Sequence, residues 1–238
     1  YHTGAHFRLY SSHFQTHSCR HLHQRVQRRI SAISDNEPSL TQSQFLTSAG
    51  IFEGAILVVA FIGGWITGCA PLATLSWSVQ DFGFGILATG PMLILLTICM
   101  VSRSKGLVQI REFVRDSIGP YLSDCRWFDI VLLAILAGVC EEAFFRGFLY
   151  LWIQDWNPFL AVLISNLLFG LAHAVTPVYA MLAAFLGLYL TALIAADRTP
   201  NLLIPMTAHT LYDLIAFIIV IRDFRKHESE EQQTQNEA

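Results

Sequence analysis

Charged side chains are scarce in this chain: Asp, Glu, Lys and Arg make up 14% of its 238 residues, against about 25% in an average soluble domain. A basic surface is also missing, because the formal net charge is -3, and this excludes the positive footprint of a nucleic-acid-binding protein. The five cysteines are odd in number and scattered, which excludes a disulfide scaffold. Apolar residues make up 53% of the chain. The composition therefore predicts a membrane protein.

Six apolar runs are long enough to cross a bilayer, which takes about 20 residues. Between the second and third runs, apolar residues recur at helical spacing among charges, which predicts a short amphipathic helix at the interface, ended by Gly119-Pro120. The sequence therefore predicts an all-α, polytopic membrane bundle of about six transmembrane helices plus one interfacial helix. The six runs cover residues 46–69, 83–102, 128–152, 158–175, 178–196 and 201–221.

The distribution of charge divides the chain into three predicted parts: a polar N-terminal tail (1–44), a membrane-embedded domain (45–221) and a charged C-terminal tail (222–238). The first 34 residues contain no Asp or Glu and are rich in Arg, Ser and His. Such a segment is typical of an organellar transit peptide, and equally of a solvated, disordered tail. Its histidines are expected to bind metal only adventitiously.

Lys and Arg concentrate in the N-terminal tail, in the loop after the second run and in the C-terminal tail, whereas the loops at 70–82 and 153–157 contain none. Six spans bring the three basic segments to one side, which predicts that both termini are cytoplasmic. Only Arg146 and Arg198 lie outside this scheme. We expect a bacterial plasma membrane, and the transit-type leader leaves an organellar membrane as the alternative.

Ionisable residues inside the apolar runs are the functional candidates, because a charge at the bilayer centre costs at least about 2.5–3.5 kcal/mol. Outside the tails, His173 and His209 are the only histidines. Glu53 lies near the start of the first run, where we expect it to reach the interface and to have a structural role. The candidates are Glu53, Glu141, Glu142, Arg146, His173, His209 and Asp213.

The spacing of the two adjacent glutamates separates their roles. Glu142 and Arg146 are four residues apart and share a helix face, so Arg146 can neutralise Glu142. Glu141 is turned roughly 140° away from Arg146 and stays unpaired. An unpaired carboxylate in apolar surroundings suits a general base or acid. The structural alternative is a salt-bridged triplet that holds helices together.

Two further spans contribute histidines. Asn166, Phe169, Gly170 and His173 lie on one helical stripe, where a lone histidine is more often a satisfied core residue than a catalyst. His209 and Asp213 are four residues apart, so Asp213 can orient the imidazole. Two histidines and at least two carboxylates on three different spans together predict a buried polar centre.

These motifs, Glu141-Glu142-x-x-x-Arg146, Phe169-x-x-x-His173 and His209-x-x-x-Asp213, resemble in order and spacing those of the CPBP family. This family, also called Abi, comprises CAAX proteases and bacteriocin-processing enzymes, and its best-known branch is the Ras-converting CAAX prenyl endopeptidase. The resemblance covers roughly residues 120–220.

The resemblance implies an all-helical intramembrane endopeptidase whose active site opens to the cytoplasmic leaflet. Glu141 would be the base that activates water, and His173 would help to hold that water. His209 and Asp213 would stabilise the oxyanion of the tetrahedral intermediate. An ionised Asp213 would repel that oxyanion, so Asp213 is expected either to be protonated or to serve His209.

Two His plus carboxylates also form a ligand set that zinc accepts, in which case Glu141, His173 and His209 would bind the ion. The chain has no His-Glu-x-x-His helix, and a water held by Glu141 and His173 needs no ion, so we expect that no cofactor is required. The expected partners are the lipid bilayer and a membrane-associated, prenylated or leader-type peptide. The alternatives are a non-catalytic membrane scaffold or immunity-type binding protein and, less favoured because no internal repeat is seen, a transporter.

Overall fold

The computed structural model describes residues 41–195 and 199–237, and every regular element in these ranges is helical. The predicted all-α fold class is therefore confirmed. The histidines and arginines of the N-terminal tail, and Arg198, lie outside the described residues.

The helices follow the six apolar runs and the amphipathic segment. Four of them, α1, α2, α7 and α8, are long and apolar enough to cross a membrane, while α6 is a shorter apolar helix. The third run forms one continuous helical rod made of α4, a π-helical segment and α5. The bounds are α1 Gln42–Thr67, α2 Val79–Val101, α3 Lys105–Ser123, α4 Trp127–Glu142, the π segment Ala143–Tyr150, α5 Leu151–Gln154, α6 Pro158–Ala172, α7 Pro177–Ala195 and α8 Leu203–Asn236.

Local chemistry sets the ends of several helices. Thr41 and Gln44 form a capping box at the start of α1, and Gly68 ends that helix with a φ of 77°, which glycine adopts without strain. Asn157 caps α6 through its side chain, and the proline that follows occupies the first helical position, where a missing N–H costs nothing.

The amphipathic helix α3 does not end at Gly119-Pro120, so that prediction is wrong. The helix continues to Ser123 because it packs closely against α8: a Cβ added at Gly119 would lie 2.9 Å from the Cβ of Phe224. Leu122 is buried in the cluster that joins the two helices. Pro120 lies in the last turn, where the backbone bond that it removes is offset by this packing.

The last helix also runs farther than its apolar stretch. α8 continues past residue 221, through the predicted charged tail, to Asn236. The tail is rich in Glu, Gln, Lys and Arg, which are good helix formers. The ion pair Lys226–Glu230 (3.8 Å) and the contact between His227 Nε2 and Glu231 Oε1 (3.3 Å) each join successive turns. The boundary expected after residue 221 is therefore not a break in the helix.

The packing of the bundle is typical of a protein surrounded by lipid. Its core contains an aromatic cluster that includes Phe145, Phe148 and Phe169, all nearly inaccessible. Large apolar side chains cover the outer faces of the helices, such as Val59 and Ile66 on α1, at 53% and 71% exposure. A soluble domain rarely exposes so much contiguous apolar surface, so these faces are suited to contact with lipid chains.

Asn201 links the loop between α1 and α2 to the start of α8 through hydrogen bonds of its side chain. Its Nδ2 donates to the Ser76 carbonyl (2.8 Å) and to Asp81 Oδ2 (2.7 Å). Its Oδ1 accepts from the backbone N–H groups of Ser76 (3.1 Å) and Leu203 (3.0 Å). All the hydrogen-bonding groups of this buried amide are therefore used.

Asn201→Ala is expected to lower the free energy of unfolding by about 2–4 kcal/mol, because buried partners lose their hydrogen bonds. Thermal unfolding of the purified protein in detergent measures this loss. The matched control is Asn236→Ala at the exposed end of α8, which should leave the unfolding temperature unchanged. Equal unfolding temperatures for the two variants would contradict this role of Asn201.

Candidate active site

The two adjacent glutamates lie where the helical rod widens. Glu141 and Glu142 are the last two residues of α4, and the π segment begins at the next residue. Glu142 is fully buried and Glu141 is 6% exposed. Such π-helical turns are rare and frequently lie at functional sites. Sequence reasoning missed this one, because a regular α-helix fits the same apolar pattern.

Arg146, in the π segment, is completely buried, and each nitrogen of its guanidinium donates a hydrogen bond. Its Nη1 donates to Glu142 Oε1 at 2.8 Å, so the sequence-predicted pair is present. Its Nη2 donates to the Gly187 carbonyl at 2.8 Å, and its Nε donates to Thr191 Oγ1 at 3.4 Å. The ring of Phe169 lies 4.4 Å from the guanidinium carbon, in cation–π contact. Arg146 therefore fixes Glu142 and ties the π segment to α7.

His209, on α8, lies between two carboxylates. Its Nδ1 is 2.9 Å from Glu142 Oε1, the same oxygen that accepts from Arg146. Its Nε2 is 3.5 Å from Asp213 Oδ2. Because both ring nitrogens face acceptors, the geometry favours the doubly protonated ring, in which each N–H can donate. Asp213 thus faces His209, one of the two roles expected for it, and the contact between His209 and Glu142 links α8 to α4.

His173 follows the last residue of α6 and faces Glu141. Its Nδ1 is 2.9 Å from the Phe169 carbonyl oxygen, which can only accept, so Nδ1 is protonated. In the neutral ring Nε2 is then an acceptor, and it lies 3.8 Å from Glu141 Oε2. That oxygen is buried and has no hydrogen-bond partner among the described residues. The separation is too long for a direct hydrogen bond, and one water can contact both atoms.

The structure brings all six sequence-predicted site residues into one centre. α4 contributes the two glutamates, the π segment Arg146, the end of α6 His173, and α8 His209 and Asp213. The ring of Phe169 packs between the histidines, with its centroid 4.7 Å from that of His173 and 5.9 Å from that of His209. Glu53 does not reach the interface: it is 7% exposed, because α1 packs against α4 and the π segment. The expectation of an interfacial Glu53 is therefore wrong.

A cavity of about 200 Å³ extends from this centre between α2, α3, α7 and α8. His173, His209 and Asp213 line its inner end, and the apolar face of α3, with Leu107 and Ile110, forms part of its wall. Sequence reasoning did not single out Tyr179 and Tyr212, which also line it, because a tyrosine in an apolar helix gives no periodic signal.

One charge at the rim of the cavity is held in place on α3. Arg115 Nε lies 2.7 Å from Asp116 Oδ1, and this hydrogen bond raises the pKa of Arg115. The guanidinium therefore stays positively charged in a mostly apolar lining that also includes Arg111 and Asp223.

The donor groups do not fit the zinc site considered from sequence. A catalytic zinc takes three protein ligands, and both ring nitrogens of His209 already face carboxylates. Glu141 Oε2 and His173 Nε2 lie 3.8 Å apart, and Glu142 Oε2 is a further buried oxygen without a hydrogen-bond partner among the described residues. Within residues 41–195 and 199–237, no three His, Cys, Asp or Glu side chains are arranged to hold a metal ion.

Comparison with known proteins finds one family model that matches part of the chain. Residues 123–215 match the family model described as Rce1-like, type II CAAX prenyl endopeptidase. The match spans all three motifs and agrees with the resemblance in the sequence. No curated protein and no solved structure matches the chain.

Proposed function

We propose that this chain is an endopeptidase that hydrolyses a peptide bond of a membrane-associated substrate. The match of residues 123–215 to the Rce1-like, type II CAAX prenyl endopeptidase model supports this proposal, as do the long apolar helices. The observation that carries the proposal is the buried, unpartnered Oε2 of Glu141, 3.8 Å from the acceptor nitrogen of His173. These two acceptors are suited to hold the two hydrogens of one water and leave its oxygen lone pair free to attack.

In the proposed reaction, Glu141 takes a proton from that water as the oxygen attacks the carbonyl carbon of the scissile bond. His173 Nε2 accepts a hydrogen bond from the other O–H of the water and so orients the nucleophile. Glu141 then donates the proton to the amide nitrogen as the C–N bond breaks, so one carboxyl group acts as base and then as acid. Glu142 takes no part in this proton transfer, because its Oε1 accepts from both Arg146 and His209.

The oxyanion of the tetrahedral intermediate needs a donor that is positioned before the reaction. His209 is the best candidate, because its Nε2 faces Asp213 over a long 3.5 Å contact that can be exchanged for the oxyanion. In this proposal Asp213 orients the imidazole and balances its charge rather than touching the oxyanion. This assignment removes the repulsion that an ionised aspartate would otherwise cause.

The apolar cavity supports a substrate with an apolar or prenylated segment beside the scissile bond, with a leader-type peptide as the alternative substrate. For orientation we propose that both termini are cytoplasmic, in a bacterial plasma membrane. The loops at 70–82 and 153–157, which contain no Lys or Arg, support this orientation. Exposed tryptophans lie on both sides: Trp65, Trp77 and Trp156, at 85%, 81% and 72% exposure, lie beside those loops, and Trp127, at 78%, lies beside Arg126. Tryptophan at such positions is typical of a membrane interface.

Cleavage of a defined peptide by the purified protein in detergent tests the proposal. Two peptides of one sequence, one prenylated near its C-terminus and one not, are compared by mass spectrometry. We expect cleavage of the prenylated peptide at a single bond and none by Glu141→Ala. Equal cleavage of both peptides would favour leader-type recognition. Binding of peptide without cleavage would favour the scaffold alternative, and solute uptake into proteoliposomes would favour a transporter.

Chelators are expected to leave the activity unchanged, because we propose that Glu141 and His173 hold the water without an ion. The measurement is peptide cleavage after incubation with 1,10-phenanthroline and with EDTA, with and without added zinc. Metal analysis of the same protein sample is the control. Activity that chelation removes and zinc restores would contradict the metal-independent mechanism.

A further inference from the structure

A second groove, of about 460 Å³, lies on the outer surface of the bundle between α4 and α8 and shares no lining residue with the cavity of the reaction centre. Its apolar part is formed by Ile130 and Val131 on α4 and by Leu214, Ile218 and Ile221 on α8. The three α8 residues are separated by four and three positions, which places them on one helix face. This apolar part is about 10 Å long, so it fits within one leaflet of the about 30 Å hydrocarbon core.

Two arginines form the charged end of this outer groove. Arg222 and Arg225 line it, and no Asp or Glu of the described ranges does. Both arginines are exposed and continue the same face of α8 beyond Ile221. Arg225 Nη2 donates to the Ser123 carbonyl at 2.9 Å, and this neutral acceptor holds the side chain without cancelling its charge. The outer groove therefore joins an apolar slot to two positive charges.

The acidic residues next to the outer groove are placed elsewhere. Asp223 follows Arg222 in the chain but lines the cavity of the reaction centre. Asp129 Oδ2 accepts from Gln42 Nε2 at 3.4 Å, at the start of α1. Asp124 is the exposed C-cap of α3 and is not part of the lining. The two arginines are therefore available to an anionic ligand.

The depth of the outer groove indicates a lipid. Trp127, at the start of α4, also lines it, and an exposed tryptophan is typical of the membrane–water interface. The arginines then lie at the level of the lipid headgroups and the apolar slot at the level of the acyl chains. A helix of another membrane protein fits less well, because such interfaces favour Gly, Ala and Ser, and the described lining contains none of these.

We infer that the outer groove binds one anionic phospholipid, whose phosphate contacts Arg222 and Arg225 and whose acyl chain lies along the apolar slot. Guanidinium groups bind phosphate through paired, charge-assisted hydrogen bonds. A zwitterionic phospholipid has the same phosphate and chains, but its positive headgroup opposes the arginines. With the proposed orientation the outer groove opens to the cytoplasmic leaflet, whose surface is negatively charged. The inference does not depend on peptidase activity.

Native mass spectrometry of the full chain in detergent measures lipid binding directly, with phosphatidylglycerol and phosphatidylcholine of identical acyl chains. We expect one phosphatidylglycerol to bind with clear preference over phosphatidylcholine. The double variant Arg222→Gln/Arg225→Gln should weaken its binding about 25-fold, because each arginine near an anionic lipid contributes about fivefold. Where the double variant fails to fold, Arg222→Gln alone should weaken binding about fivefold.

The matched control removes two positive charges from another basic segment. Arg103 and Lys105 are exposed, lie between α2 and α3 or at the start of α3, and do not line the outer groove. Arg103→Gln/Lys105→Gln should therefore bind phosphatidylglycerol as the wild-type protein does. Equal weakening in the two double variants would show diffuse attraction and overturn the inference. Equal affinity of the wild-type protein for the two lipids would overturn it as well.

Tryptophan fluorescence tests where the lipid lies. Phosphatidylglycerol with brominated acyl chains should quench the fluorescence more than brominated phosphatidylcholine, and Trp127→Phe should remove this excess. Excess inorganic phosphate should not displace the lipid. Displacement by phosphate, an excess of quenching that survives in Trp127→Phe, or a dimer mass in place of the bound lipid would each overturn the inference.

Discussion

Glu141→Gln is expected to lower the rate of peptide cleavage by about 10²–10⁴-fold, the usual contribution of a positioned general base. The same substitution should leave the unfolding temperature unchanged or raise it. Glu141 Oε2 is buried and has no hydrogen-bond partner among the described residues, so the substitution removes a buried charge without breaking a contact. Cleavage kinetics and thermal unfolding in one detergent preparation measure both effects.

The neighbouring glutamate provides the matched control. Glu142→Gln has the same change in charge and shape, but Glu142 Oε1 accepts from both Arg146 and His209. Its loss leaves two buried cations without their carboxylate, so Glu142→Gln should lower both activity and stability. Adjacent variants with the same unfolding temperature would contradict the separate roles assigned to the two residues.

Arg146→Met is expected to abolish detectable cleavage and to lower the free energy of unfolding by about 3–5 kcal/mol, the usual cost of breaking a buried ion pair by removing one partner. The side chain is fully buried, and its loss leaves Glu142 with His209 alone and the Gly187 carbonyl without its donor. Methionine keeps most of the volume, so the effect reports charge and hydrogen bonds rather than a cavity. Chemical unfolding of the purified protein measures the loss.

A milder variant tests the same contact from the other side. A Cβ at Gly187 would lie 3.0 Å from Arg146 Nη2 and 2.9 Å from Asn166 Oδ1. Gly187→Ala should therefore push the guanidinium away and lower stability by about 1–3 kcal/mol. Gly90→Ala on α2, with no atom within 4 Å of the new Cβ, is the control. An Arg146→Met variant as stable as the wild-type protein would show that the buried pair does not hold the centre together.

Local patterns in the sequence were sufficient to predict much of this site. Apolar length predicted the helices, and spacing of four residues predicted the pairs Glu142–Arg146 and His209–Asp213, because neighbours on one helix face are fixed by helix geometry. The contact between His209 and Glu142 joins residues 67 positions apart. Such a contact depends on how helices pack, which no local period encodes.

Three other features could not be predicted either, because they too depend on how the helices pack. The π segment packs closely at Gly147, where an added Cβ would clash with the Pro71 backbone, and no local period encodes such a contact. α3 passes Pro120 while it packs against α8. The inward position of Glu53 depends on which face of α1 meets α4, and a nearly uniform apolar helix does not specify that face. Hydrophobicity alone therefore predicts that such a helix exists but not its rotation about its own axis.

The continuous α8 connects the reaction centre directly to the C-terminal end of the helix. The helix carries His209 and Asp213 and continues without interruption to Asn236, so about 35 Å of rigid rod separates Asp213 from the end of the helix. A tilt of about 5° at the reaction centre would displace that end by about 3 Å. A fluorophore or spin label near the C-terminus would thus report motion of the helix that carries His209, the proposed oxyanion donor. A bulky fusion protein attached there without a flexible spacer would push on the end of α8. It would thereby disturb the positions of His209 and Asp213, which the experiment is meant to observe.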